Sequence, residues 1–274
     1  MNRVESLAAS SGGPARMRSD FRLVGRQLLY EQVAFWRNPV GAAFTVGFSV
    51  VFLILLGAGG GNSRIHYLHN IRMIQYYVPG FAAYGVMAAC FNTLAIVVVV
   101  RRELGLMKRL RLSPAPRWVV LGAIVLNALV VAAIQVVLLF LIGHFAYHVA
   151  LPHGSAIAAL VLALVVGAFC FTGLGIAMST VIPNQDSAGP VTGIVFFVLL
   201  FLSGLWFPLK AGSALAKFST WFPIRHLILA TFAPFETAYG VSPWSWHDLL
   251  VMVVWGAAGI YVAVRRFRWE PRRA

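Results

Sequence analysis

The chain has 274 residues, of which 60% are hydrophobic and only 11% charged, too few polar groups to cover a water-soluble domain of this size. Its formal charge of +14 points to an anionic surface. Because the basic residues flank long apolar runs, that surface is a membrane leaflet, and nucleic acid is excluded as a partner.

In chain order, residues 1–19 are rich in Ser, Gly and Ala and read as a disordered cytoplasmic tail; no apolar core followed by a cleavage site marks a signal peptide. Residues 20–37 place Phe21, Val24, Leu28 and Phe35 near one helical face, with Arg22, Arg26 and Glu31 elsewhere, and Asn38-Pro39 ends the run. This is predicted to be an interfacial amphipathic helix. One transmembrane domain follows over 20–274, with spans near 40–58, 77–100, 118–143, 155–182, 189–207 and 248–265. Each charge-free run approaches or exceeds the roughly 20 residues that cross a bilayer at 1.5 Å per residue. Lipid offers no partner for backbone polar groups, and the runs lack the alternation of barrel strands. The fold class is therefore all-α integral membrane with six transmembrane helices. Cys90 and Cys170 fall in different runs and read as small hydrophobes.

Between the second and third spans, residues 101–114 form a short cytoplasmic loop dense in charge and leucine. Read as a helix, it sets Leu104, Met107 and Leu110 at three-residue spacing among Arg102, Lys108, Arg109 and Arg111, and Ser113-Pro114 stops it. An anchor lying on headgroups needs neither the acid at Glu103 nor the helix-weakening Gly105; a helix docking into a protein cleft can use both. Residues 208–247 form the longest outer connection, punctuated by Pro208, Pro223, Pro234 and Pro243. Two pieces there, near 211–220 and 224–233, are too short to cross and are predicted to be re-entrant.

Seventeen of the 22 Lys and Arg residues lie before the first span, in the 101–117 loop or after the last span, which places both termini in the cytoplasm. Trp36, Trp118 and Trp269 sit at inner boundaries, and Trp206, Trp221, Trp244 and Trp246 cluster at the outer one.

The run Arg102-Glu103-Leu104-Gly105, followed by Lys108-Arg109-Leu110 and Ser113-Pro114, resembles the coupling-helix signature of the type-2 family of ABC transporter permeases. The amphipathic N-terminal helix, six spans and re-entrant pair agree in order with that family. Ser203-Gly204 with Phe207-Pro208, and Trp221-Phe222-Pro223-Ile224, are similar to its fifth-span exit and second re-entrant piece. The resemblance implies two permease chains, identical or homologous, above two ABC-type ATP-binding subunits that use ATP and Mg. It implies that Arg102, Glu103, Gly105, Lys108 and Arg109 couple to the ATPase, and that Pro208, Trp221 and Pro223 shape the re-entrant segment. No cofactor is expected in this chain: no G-x-x-x-x-G-K-[ST] occurs, and Gly57 to Gly61 lack a Lys.

The spans hold no charge to bind a coupling ion, which disfavours secondary transport. Polar positions within them, Asn92 and Gln135 among them, either line a substrate route or hydrogen-bond between helices. Phe196, Phe197 and Phe201 either gate a two-subunit seam or face lipid. His66, His69, His144, His148 and His153 have spacings that can hold a metal, but nearby loops lack Asp and Glu, so no metal site or catalytic residue is assigned. The function expected is the permease of an ATP-driven exporter of a drug, lipid or glycolipid in a bacterial plasma membrane; the alternative is a passive lipid-handling or structural membrane protein.

Overall fold

The computed structural model of the chain describes residues 14–66, 68–105, 117–210 and 212–266. Helix α1 spans Pro14–Trp36, so residues 14–19, expected in the tail, are helical. Six helices are long and apolar enough to cross a membrane: α2 (Pro39–Gly60), α3 (Met73–Glu103), α4 (Arg117–Tyr147), α5 (Ser155–Val181), α6 (Gln185–Ser203) and α9 (Trp246–Arg266). The short helices α7 (Ala214–Ser219) and α8 (Pro223–Phe232) lie between α6 and α9, where the re-entrant pair was predicted. A hairpin pairs Arg64–Ile65 with Ile71–Arg72 in the loop joining α2 to α3.

Helix α3 is the centre of the bundle and the most buried of the six. The amphipathic α1 does not merely lie on the surface: it packs along α4, and Gln32 Nε2 donates to Asn127 Oδ1 at 2.9 Å. Its inward face includes Glu31, contrary to the expectation that this acid points away. Glu31 follows Val24 by seven residues, two helical turns, so both face inward. Asn38 then caps α2, its Oδ1 accepting from the Gly41 N–H at 3.1 Å, with Pro39 in the first helical position where no donor is missed.

Helices α2 and α3 each contain a π-turn, Ala43–Gly47 and Ala88–Thr93. The two turns meet: the Thr45 and Thr93 hydroxyls lie 3.2 Å apart. Gln135 of α4 closes the group, donating to the Thr45 carbonyl at 3.1 Å and the Ser49 hydroxyl at 2.6 Å. In hydrocarbon such a carbonyl has no water to turn to, so the amide side chain serves as its donor.

Helix α8 packs among the spans: Leu227 lies on Gly167, twelve residues and so about 18 Å along α5 from its N-terminus at 1.5 Å per residue. On the opposite face, α5 and α9 touch through backbone: a Cβ on Gly173 would sit 2.6 Å from the Gly256 carbonyl oxygen. Small residues are the usual means of bringing membrane helices this close. Replacing Gly256 by Leu is expected to cost about 1–3 kcal/mol through overpacking. It should lower the apparent Tm of the detergent-solubilised chain, whereas Gly122→Ala, which faces open space, should leave it unchanged.

Candidate functional site

The last turn of α3 makes contacts in three directions. Consecutive helical residues point about 100° apart, so Arg101, Arg102 and Glu103 address three different neighbours. Arg101 forms a two-pronged ion pair with Glu31 of α1, and Gln27 supports that carboxylate at 3.0 Å. Arg102, 2% exposed, donates to the carbonyls of Ser179 at 2.9 Å and Ile182 at 2.6 Å, at the C-terminus of α5. Those carbonyls have no intrahelical partner and carry the negative end of the helix dipole, which is what a guanidinium complements. Glu103 accepts from the backbone N–H of Gln185, in the first turn of α6, where the dipole favours an anion. Asn184 completes that terminus by accepting from the Ser187 N–H at 2.9 Å.

The described start of the segment, residues 101–105, is therefore continuous with the span. Residues 101–103 are the end of α3, Leu104 caps it, and Gly105 leaves in the left-handed conformation, φ +66°, that glycine adopts without strain. Arg102 was expected on a docking surface and instead is buried against its own chain. Its charge density made it look exposed; its partners are backbone carbonyls 77 and 80 residues away, which no local pattern reveals. Leu104 is 57% exposed at the start of the loop. Lys108 and Arg109 lie outside the described residues.

The positions considered for a route through the membrane are not gathered into one lumen. Gln135 is fully buried against α2, and Asn92 lies within the α3 π-turn. Phe196 turns inward, its ring 5.5 Å from that of Tyr84, while Phe197 and Phe201 face outward from α6. Tyr84 in turn stacks on Phe48 of α2 at 5.4 Å, so an aromatic layer joins α2, α3 and α6. Trp206, just beyond α6, extends the layer to Phe52 at 5.0 Å. In the outer segment, Pro223 opens α8 and is buried, and Trp221 is exposed. Pro208 lies in the connection after α6.

The end of the bundle where α6 finishes and α9 begins carries a polar cluster that sequence reasoning missed. His226 of α8 is buried, with Nδ1 2.6 Å from an Asp248 carboxylate oxygen of α9 and Nε2 2.8 Å from the Thr220 carbonyl. With the Asp248 carboxylate ionised, both ring nitrogens lie against acceptors. Burial works to lower the His226 pKa, but the Asp248 carboxylate and the Thr220 carbonyl outweigh it and hold the pKa above the usual value. Arg225 beside it opposes that rise, yet its own guanidinium turns to the Ser203 carbonyl at 3.3 Å. His247 approaches Asp248 at 3.8 Å. His226, His247 and Asp248 converge, with one ligand-capable atom from each all lying within 4.8 Å of one another. Of the histidines singled out by spacing, His69 stacks on Tyr239 at 5.1 Å and pairs with Glu236 at 3.3 Å, and His144 bonds the Val149 carbonyl at 3.2 Å.

Comparison with known proteins bears on this arrangement. Residues 22–234 match the family model described as ABC-2 type transporter. The chain is 24% identical over 182 residues to YvfS of Bacillus subtilis (strain 168), provisionally named a transport permease, over 66% of this chain and 71% of that protein. It is 26% identical over 166 residues to YbhR of Escherichia coli (strain K12), provisionally named a multidrug ABC transporter permease, over 60% of this chain and 44% of that protein.

Two measurements check the geometry. Arg102→Met strands the Ser179 and Ile182 carbonyls and should cost about 1–3 kcal/mol, read as a lower apparent Tm. The raised His226 pKa means that the cluster's stabilisation is complete below the ordinary histidine pKa of about 6.5 and is lost as pH rises through the higher folded value. Apparent Tm should therefore fall as pH is raised above neutrality, and His226→Gln should flatten that fall.

Proposed function

The chain belongs to the ABC-2 type transporter family, as the permease subunit of a transporter, and from that membership we propose that it drives export of an amphipathic molecule by relaying movement of the 101–114 loop into α6. Membership implies association with an ATP-binding subunit. The observation that carries the proposal is the set of three contacts at the end of α3, where Arg101, Arg102 and Glu103 tie the residues that lead into the loop to α1, the end of α5 and the start of α6.

In this reading an ATP-binding subunit takes hold of the loop from Gly105 onward, with Lys108 and Arg109 contributing to the contact. Two permease chains face each other through the exposed apolar faces of α2 and α6, which include Phe44, Val51, Ile194 and Phe201, above two ATP-binding subunits. When those subunits close on ATP, the end of α3 shifts, Glu103 pulls the N-terminus of α6, and the aromatic layer of Phe48, Tyr84 and Phe196 repacks at the seam. The absence of charge in the spans suits a drug, lipid or glycolipid better than an ion. The basic flanks support a reading in which both termini and the 101–114 loop lie on the cytoplasmic side of a bacterial plasma membrane. In this reading Glu103 acts as a positioning residue inside the permease.

Gentle-detergent purification from native membranes should bring an ATP-binding-cassette subunit along with the chain. Glu103→Gln removes a charge-assisted hydrogen bond worth about 1.5–3 kcal/mol and should cut drug- or lipid-stimulated ATPase activity by roughly tenfold or more while the subunits stay together. Glu103→Arg, which puts a cation at the N-terminus of α6, should abolish the stimulation. If the chain purifies alone and moves lipid in vesicles without nucleotide, passive lipid handling replaces this reading.

A further inference from the structure

The face away from α2 and α6 carries a groove that the permease role leaves unexplained. Helices α4 and α5 are consecutive in sequence yet barely touch, because α5 is drawn to α9 by its glycines. The gap between them, floored by Val86 of α3 and closed by the last turns of α9, is a groove of about 940 Å³. Its lining is apolar along its whole length, from Leu121 to Val137 on α4, and Thr172 is the one polar side chain among the described residues that line it.

Leu121 and Val137 are 16 residues apart, so the groove is about 24 Å long, enough for extended hydrocarbon chains lying along it. A charged mouth tells which hydrocarbon: Ala263 and Val264 line the basic end of the groove, and Arg265 and Arg266 follow directly in the same helix. Both arginines are exposed, and among the described residues neither makes an ion pair; Arg265 rests on the Tyr261 ring at 5.3 Å. Trp118 stands exposed at the same end of α4, as ring systems at a headgroup boundary do.

We propose that this groove holds the acyl chains of an anionic phospholipid whose headgroup binds Arg265 and Arg266. The lipid fills the space between α4 and α5 and replaces the helix contact that the chain itself does not make. No residue of α2 or α6 lines the groove, so the site is separate from the seam assigned to transport. Naming the leaflet as the cytoplasmic one rests on the orientation argued above; the binding itself does not.

Native mass spectrometry of the purified chain, after titration with phosphatidylglycerol or phosphatidylethanolamine, tests it without any ATPase. The parent should retain phosphatidylglycerol in preference to phosphatidylethanolamine. The double variant Arg265→Ser/Arg266→Ser should weaken phosphatidylglycerol retention by about tenfold or more, since each basic residue near an anionic headgroup contributes on the order of 1 kcal/mol. Ala133→Trp, which puts an indole into the groove from an exposed position, should abolish retention of both lipids; Leu250→Trp, at the other end of α9, should behave as the parent. Retention by Ala133→Trp equal to the parent's would overturn the site, and an unchanged lipid preference in the double arginine variant would overturn the headgroup assignment. A polypeptide that co-purifies with the parent and leaves on Ala133→Trp would overturn the lipid as occupant.

Discussion

The guanidinium of Arg102, held between the Ser179 and Ile182 carbonyls, fixes where α3 ends relative to the turn joining α5 to α6. A buried cation is costly unless every donor is used, and helix C-termini are among the few places in a membrane domain where uncapped acceptors gather. The contact therefore answers two deficits at once: the arginine needs acceptors and α5 needs donors. Because Arg102 is locked in that direction, Arg101 and Glu103 have no freedom of azimuth. They must point at Glu31 of α1 and at the first turn of α6.

The same solution appears at the outer end. Arg225 of α8 is buried beneath α6 and donates to the Ser203 carbonyl, while the Tyr76 hydroxyl donates to the Gly204 carbonyl at 2.8 Å. In the middle of the membrane, where no charge occurs, neutral groups do the work: Gln135, Thr45, Ser49 and Thr93 bind the paired π-turns of α2 and α3. Ionic groups thus appear at helix ends and neutral amides and hydroxyls between them, the order expected when the surroundings cannot solvate an isolated polar atom. Between α4 and α5 neither device is present, nor the glycine contact that joins α5 to α9, and there the helices part.

What could be read from the sequence divides along the same line. The six spans and the two short helices were legible because hydropathy and proline are local signals: a charge-free run of twenty residues needs no partner to identify it, and Pro223 marks the start of α8 by its missing N–H. The clustering of Arg101, Arg102 and Glu103 was visible too, but not what each does. A string of charges gives their number and says nothing of whether Ser179 lies beside them. Glu31 was placed on the wrong face although its spacing from Val24 contained the answer, because an acid among apolar residues suggests solvent until Arg101 is seen opposite. His226 and Asp248 are 22 residues apart across a turn and a pair of short helices, and nothing in their spacing announces the pair.

These contacts bear on how a push from one side can be felt at the other. Helix α6 is held at its first turn by Glu103 and at its last by Arg225, both through its own backbone. Arg225 adjoins His226, and His226 is tied to Asp248 at the start of α9. The exposed side of α6 has no such attachments; its inner side meets α3 through Phe196 and Tyr84, rings that slide at little cost compared with an ion pair. In the proposed reading, a displacement of Glu103 therefore acts on the first turn of α6, while the Arg225 contact at its last turn serves as the pivot about which the helix tilts.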